Sequence, residues 1–547
     1  MATDTESVGR STVSRADQSM RVGSISYERT GHEVRKCAAC AYNQAHSLGE
    51  AETEMVLYLA ALPDERAASD PGGPCLADGR RELDNASFAS EVRRVSSALA
   101  QMGIGRGDVV AVMLPNSVEL VTIMFAAWRL GAALTPVNPA LTSHEALYQV
   151  TDSGARLVVA DDASLPKVEG GAARACVAGE LLQREDAAGL APPRTEPGEL
   201  ALLIYTGGTT GRPKGVMLDH ANLAATAEMI TGWFEMTRAE RCLLVLPLFH
   251  VNGIMASVVS PLVAGGSTVI APRFDPKTFW DLVERVRPTF FSAVPTIYAM
   301  LLGLPAEVRP DTSSLRYVVC GAAPMPAAMI RDFEDRYGVP VVEGYGLSEG
   351  TVVTTANPVS GVRKPGTVGL PLPGQEVCVV GRDGEPLPSG QAGEVTVRGP
   401  NVMRGYLGMP EETARTLRGG WLHTGDVGRF DQDGYLVLVD RVKDMIIRGG
   451  ENIYPKEIED ALHAHPAVLE AAVVGWPHPV FGEEPVAFVV LRPGLVAGPD
   501  ELVEHSRTML AKFKVPRAVF IETDLPKTAI GKIAKPALRE RASPPQE

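Results

Sequence analysis

Residues 205–215 read Tyr-Thr-Gly-Gly-Thr-Thr-Gly-Arg-Pro-Lys-Gly and follow the apolar run 200–204. Glycine lets a backbone approach a ligand closely and take φ > 0. Threonine hydroxyls and exposed N–H groups donate to phosphate oxygens, and the two cations offset charge. The composition is that of a loop wrapped around phosphate. It is not a Walker A loop, because Pro213 separates Gly211 from Lys214 and Gly215 stands where a magnesium-binding Ser or Thr belongs.

Other short runs carry complementary chemistry. In Gly344-Tyr345-Gly346-Leu347-Ser348-Glu349 the glycines let the backbone pass close to a ligand, and Tyr345 offers a flat face. Ser348 adds a hydroxyl for phosphate and Glu349 a hard oxygen for Mg2+. Gly321-Ala322-Ala323-Pro324 puts small residues after a strand-like run, which leaves room for a ring. Asp426, closing the run Trp421-Leu422-His423-Thr424-Gly425-Asp426, can accept from both hydroxyls of a vicinal diol. His250, in the run 246–253, and Lys532, in the basic, glycine-containing run 526–533, acquire meaning only from this company.

Taken in order, these runs resemble the motifs of the adenylate-forming superfamily, which holds acyl-CoA synthetases, peptide-synthetase adenylation domains and luciferases. The matches cover roughly residues 52–541. The resemblance implies an ATP and AMP site built from Thr206, Gly207, Gly208, Thr209, Thr210, Lys214, Gly321, Ala322, Ala323, Gly344, Tyr345, Gly346, Ser348, Asp426 and Arg441, with Glu349 as the metal ligand. Most relatives carry Thr where Ser348 stands, and the hydroxyl is retained. The same likeness makes Lys532 the adenylating lysine rather than Lys527, gives His250 a positioning and gating role, and puts the hinge at Lys443. It implies CoA contacts from Gly449, Gly450, Phe513 and Arg517, and an acyl pocket from Asn252, Gly253, Ala256, Val294, Gly321, Gly344 and Leu347, with Val352 and Val353 beside them.

The implied reaction has two steps. A carboxylate and MgATP give an acyl-AMP and pyrophosphate, and a thiol then displaces AMP. A lysine suits the first step because it bridges two anions as charge builds between them. An acyl-CoA ligase is favoured because the residue after the His250 motif is not the Asp of amino-acid-activating relatives and no carrier domain follows. The run 512–517 also resembles the tract that contacts the CoA nucleotide. Small and apolar lining residues suggest a hydrophobic acid. ATP, Mg2+ and CoA are the expected cofactors, with a carrier-protein phosphopantetheine or another acceptor left open in place of CoA. Three other readings stand beside the full ligase: thioesterification of a supplied acyl-adenylate only, amide formation, and a non-catalytic acyl-nucleotide-binding protein. A homodimer is left open.

These residues need elements to hold them. Helix-like segments (88–102, 118–130) alternate with strand-like runs rich in Val and Leu (109–114, 157–160, 243–246, 267–271, 289–293, 317–320), the rhythm of α/β layers with largely parallel sheets. From 367 to about 435, short runs such as 377–380 and 394–398 separated by Gly, Pro and Asp turns suggest a β-rich subdomain. After 440–444 an α+β pattern takes over, with helices over 457–463 and 501–510 and strands over 471–475 and 486–491. The expected class is α/β: a large N-terminal domain of layered α/β subdomains plus a β-rich subdomain, then a small mobile α+β C-terminal domain. The boundaries are a flexible extension at 1–51, an AMP-binding domain at 52–440, a hinge at 441–444 and a lid at 445–547.

With 547 residues and 45% hydrophobic content the chain can bury a core in more than one domain. Its net charge of −14 argues against nucleic acid or an anionic membrane as the partner. The seven cysteines are odd in number and scattered, which reads as free thiols in a reducing cytoplasm. Cys37 and Cys40 form a lone CxxC, half of a zinc site. Residues 1–30 lack the apolar core of a signal peptide. The most apolar window, 120–137, carries Arg129 near its middle and reads as a buried helix running into a strand, not a membrane span.

Overall fold

The computed structural model describes residues 58–184, 193, 195–206, 213–271, 273–323, 325–441, 444–448, 451–478, 481–527 and 533–541. The expected start of folded sequence at 52 and the Cys37/Cys40 pair lie outside the described residues. Four sheets organise the described part of the chain.

The seven-stranded sheet runs in the order Gly405–Tyr406, Lys214–Asp219, Leu200–Thr206, Ala133–Pro136, Val109–Met113, Leu157–Ala160, Arg174–Val177. Strands from Leu200–Thr206 to Arg174–Val177 pair in parallel, and every residue of Val109–Met113 and Leu157–Ala160 is buried. That continuous apolar pattern belongs to a sheet covered on both faces. The helix Val118–Arg129 supplies one cover: Ser117 caps it by accepting Leu120 N–H at 3.3 Å, and Trp128 Nε1 donates to Ala201 O at 2.9 Å. Trp128 is fully buried, and a side chain of that size contributes about 3 kcal/mol through area removed from water. The window 120–137 is therefore a buried helix followed by the strand Ala133–Pro136, as its sequence implied.

The nine-stranded sheet has a parallel centre made of Pro74–Ala77, Ser267–Ile270, Arg241–Leu244, Phe290–Ala293, Val318–Cys320 and Val341–Tyr345. The strand expected at 243–246 lies two residues earlier. Asn116 explains the shift: its amide donates to Leu246 O and accepts Leu248 N–H, both at 2.9 Å, so those backbone groups leave the ladder for a side chain.

The β-rich segment is a four-stranded antiparallel sheet, Glu376–Val380, Gly393–Arg398, Leu422–Phe430 and Leu436–Arg441. Beyond it, a five-stranded sheet centred on Val468–His478 and Gly482–Leu491 carries its own apolar clusters, one around Ile458, Leu462 and Leu502 and another around Trp476, Phe488 and Leu538. A tail with its own core satisfies the requirement for a separate small domain. Between the two, the strand Leu436–Arg441 ends at Arg441, and Asp444 is buried with its Oδ1 accepting Arg539 Nη2 at 2.8 Å. Among the described residues no helix is long and apolar enough to cross a membrane.

Candidate active site

The residues singled out by type gather at the carboxyl ends of parallel strands. Leu200–Thr206 ends at the phosphate-type loop, Val318–Cys320 ends at Gly321, Phe290–Ala293 ends at Val294, and Val341–Tyr345 runs into the turn that carries Ser348 and Glu349. In open α/β sheets ligands bind outside the carboxyl ends of such strands.

Thr206 and Lys214 are paired across the hairpin that holds this loop, while Gly207, Gly208, Thr209 and Thr210 lie outside the described residues. Lys214 is buried, its ammonium ion-paired with Glu412 and seated 5.0 Å from the Tyr406 ring centroid. Glu412 also pairs with Arg415, and the Lys214 and Arg415 hydrogen bonds hold its carboxyl below the usual range. Glu349 Oε1 accepts the Tyr406 hydroxyl at 2.8 Å, and the Glu349 carbonyl accepts Met403 N–H at 2.8 Å.

Two glycines admit a close approach of the chain's own backbone. A Cβ on Gly346 would collide with the Val352 carbonyl oxygen, and one on Gly253 would stand 2.6 Å from Pro247 O. Gly346 thus lets the turn fold onto Thr351 and Val352, both of which hold positive φ, at 50° and 92°. A branched residue there is strained, and such strain persists only where surrounding structure over-determines it.

The nucleotide-type motifs are joined to one another. The Tyr345 hydroxyl donates to Asp426 Oδ2 at 2.7 Å, with both side chains buried. Asp426 stands opposite Arg441 in the antiparallel register, and the Arg441 side chain lies outside the described residues. Glu394 secures the loop before Asp426, contacting His423 Nδ1 at 2.8 Å and accepting Gly425 N–H at 3.2 Å and Arg418 Nη2 at 3.1 Å. Ala322 holds φ at 68°, and the turn it belongs to is fastened where Glu343 Oε1 accepts Met325 N–H at 3.2 Å. Glu343 is buried, and burial pushes its carboxyl up to about 7.

On the acyl side, His250 packs its ring against Phe249 at 4.6 Å and immediately precedes the helix Val251–Ile254. A π-helical turn, Met255–Val259, follows and carries Ala256. Asn252 is half-buried, with its Oδ1 accepting the Ser292 hydroxyl at 3.3 Å. A Cβ on Gly321 would sit 3.6 Å from Gly344 O and 3.9 Å from Asn252 Nδ2, so these residues face one space, with Val294 and Leu347 half-buried at its strand ends.

In the tail, Lys443, Gly449, Gly450 and Lys532 lie outside the described residues. Lys527 pairs with Glu470 at 2.9 Å, Arg517 with Glu484 at 3.2 Å, and Phe513 sits in the turn Lys512–Lys514. Sequence reasoning missed Tyr406, Glu412 and Glu394, which touch residues of the singled-out runs, and Glu343, which fastens the turn after Ala323 through Met325 N–H. The only local signal was the turn-rich run around Gly405.

A carboxylate such as that of Glu349, held through one oxygen by Tyr406, is a hard donor of the kind Mg2+ takes. The whole arrangement offers a cation for polyphosphate, a carboxylate for a metal and a second carboxylate for a diol.

Comparison with known proteins bears on this arrangement. The model of the AMP-binding enzyme matches residues 63–407, and that of the AMP-binding enzyme C-terminal domain matches 457–532. A feruloyl-CoA synthase from Amycolatopsis sp is 39% identical over 492 residues, covering 88% of this chain and 99% of that protein. A long-chain-fatty-acid–CoA ligase from Bacillus subtilis (strain 168) is 35% identical over 526 residues, covering 88% and 94%. Among solved structures, o-succinylbenzoate coenzyme A synthetase from Bacillus subtilis in complex with ATP and magnesium ion superposes with a TM-score of 0.80 at 31% identity, covering 88% of this chain and 98% of that one.

Proposed function

The chain belongs to the AMP-binding enzyme family, and from that membership we propose how its residues divide the work of an ATP-dependent acid–thiol ligase. The reaction is that of a two-step, AMP-forming acyl-CoA ligase using ATP, Mg2+ and CoA. A carboxylate oxygen attacks the α-phosphorus of ATP, the bond to the β-phosphate oxygen breaks, and pyrophosphate leaves. The CoA sulfur then attacks the acyl carbon, the bond to the AMP oxygen breaks, and the thiol proton is released.

Thr206, the 207–210 loop and Lys214 receive the β- and γ-phosphates. Gly321, Ala322, Ala323 and Tyr345 border the adenine, Ser348 meets phosphate, and Asp426 with Arg441 takes the ribose. Glu349 holds Mg2+, whose contribution is to neutralise polyphosphate charge. Lys532 bridges the carboxylate and the α-phosphate during adenylation. The hinge residue Lys443 lets the tail turn, and the Gly449–Gly450 turn, Phe513 and Arg517 then meet CoA. The observation that carries this division is the bond between Tyr345 and Asp426, which brings two motifs 81 residues apart into one site.

The acid is hydrophobic, fatty or aryl, in a pocket bounded by Asn252, Gly253, Ala256, Val294, Gly321, Gly344 and Leu347; the missing side chain at Gly321 supports room there. The AMP-binding domain spans 52–440, the hinge 441–444 and the lid 445–547, a division supported by the strand ending at Arg441 and by Asp444 joining the tail through Arg539. A reducing cytoplasm is supported by five cysteines that are free among the described residues, four of them buried.

The test is a panel of carboxylic acids assayed separately for ATP–pyrophosphate exchange and for CoA thioester formation. Both activities with one hydrophobic acid are expected. Exchange without thioester points to an amine or carrier acceptor, thioester only from supplied acyl-AMP to a partial reaction, and nucleotide binding without either to a silent binder.

A further inference from the structure

Tyr406 has no place in the motifs that marked the site, yet it touches both groups assigned to MgATP. Its position is fixed by backbone on two sides. The short strand Gly405–Tyr406 pairs antiparallel with Lys214–Asp219, the strand that opens on Lys214, and Leu407 N–H donates to Gly215 O at 2.8 Å. On the other side, Tyr406 N–H donates to Thr413 Oγ1 at 2.9 Å. Gly405 holds φ at 143° against the Thr413 side chain, where a Cβ would collide, so glycine is the residue that admits this approach. The ring is 7% exposed, its hydroxyl lies 2.8 Å from Glu349 Oε1, and its face seats the Lys214 ammonium.

We propose that Tyr406 is a positioning residue for the adenylation half-reaction, holding the Glu349 carboxylate and the Lys214 ammonium as one preorganised unit. The inference rests on the ligase reading and extends it to a residue with no direct part in the chemistry. The phenol donates to Oε1 of Glu349 and so restrains the carboxylate that would hold the metal. The ring and Glu412 together hold the lysine ammonium in place. A site arranged before the substrate arrives pays no reorganisation cost as charge develops. In the thioester half-reaction pyrophosphate has already left, and Tyr406 has nothing to position.

Tyr406→Phe keeps the ring and removes the hydroxyl. In the full-length protein, ATP–pyrophosphate exchange is followed against Mg2+ concentration, and thioester formation from supplied acyl-AMP is followed in parallel. The expected result is an Mg2+ half-saturation raised about tenfold, the scale of a lost hydrogen bond to a charged group, with the acyl-AMP reaction unchanged. Tyr406→Leu removes the ring face as well and raises the KM for ATP in addition. Thr413→Val leaves the tyrosine in place but removes the acceptor of its backbone N–H, and moves the Mg2+ dependence in the same direction by about twofold, the scale of a weak neutral bond. That variant decides the matter should Tyr406→Phe fail to fold. An unchanged Mg2+ dependence in a folded variant, or equal loss in both half-reactions, overturns the proposal. Absence of exchange in the unaltered protein overturns the ligase reading instead.

Discussion

The Tyr345 hydroxyl donates to Asp426 Oδ2 at 2.7 Å in a site where both side chains are buried. The strand Val341–Tyr345 of the nine-stranded sheet and the strand Leu422–Phe430 of the four-stranded sheet are thereby tied at this point. Tyr345→Phe removes the donor and leaves a buried carboxylate oxygen without it. AMP affinity measured by calorimetry is expected to fall about tenfold, the cost of one hydrogen bond to a charged group.

Glu412 occupies Lys214 before any phosphate does. Replacing it with Gln leaves a buried ammonium without its counter-ion, at a cost of about 2 kcal/mol, between the values for surface and buried pairs. ATP supplies a new counter-ion. The Tm of Glu412→Gln without nucleotide is expected to drop, and the rise in Tm on adding ATP to exceed that of the unaltered protein.

Glu343 gives stability a pH dependence of definite sign. Burial raises its carboxyl from the ordinary 4.5 to about 7. The folded chain therefore binds the proton more tightly than the unfolded chain. The contribution is fully present below 4.5 and is lost as pH rises through 7, amounting to about 3 kcal/mol over that window. His220 runs the other way: burial lowers it from 6.5 to about 4, so its contribution is lost as pH falls through that range. The difference in denaturation midpoint between Glu343→Gln and the unaltered protein isolates the glutamate. It is expected to favour the variant progressively as pH rises from 4.5 to 7.

Gly346→Ala forces a methyl group against the Val352 carbonyl. The turn behind it is already strained at Thr351 and Val352 and cannot yield. A loss of about 4 kcal/mol or more is expected in chemical denaturation, in the range reserved for severe steric or strain effects.

Lys532→Ala is expected to lower ATP–pyrophosphate exchange by about 3 kcal/mol in barrier height, the scale of losing one preorganised electrostatic partner. Thioester formation from supplied acyl-AMP is expected to persist. Lys527→Ala serves as the control, because that lysine is paired with Glu470.

The parts of the site legible in the sequence are those whose chemistry is written in short contiguous runs. A phosphate loop needs glycines and hydroxyls side by side, so residues 205–215 announced themselves, as did Glu349 and Asp426 within their motifs. Tyr406, Glu394 and Glu343 act through contacts made by folding. Tyr406 is 57 residues from Glu349, and Glu343 reaches a backbone N–H 18 residues away. A tyrosine or glutamate in a strand carries no local mark of such a partner. The fold followed the same division. Alternating helix and strand were readable because strands buried on both faces are continuously apolar. The shift of the strand from 243–246 to Arg241–Leu244 was not, because it depends on an asparagine at position 116 reaching across the sheet. That Gly253 and Gly346 closely approach Pro247 and Val352 backbone was not legible for the same reason, since those contacts are made only on folding.

The ion pair between Asp444 and Arg539 has a mechanical consequence. It binds the downstream end of the connector to the terminal helix Lys535–Arg541, while the upstream end is locked into a strand as far as Arg441. Asp444 is thus carried by the terminal helix and not by the strand, and loss of that helix would leave a buried carboxylate without its cation. The residue that follows the strand by three positions answers electrostatically to one 95 positions later.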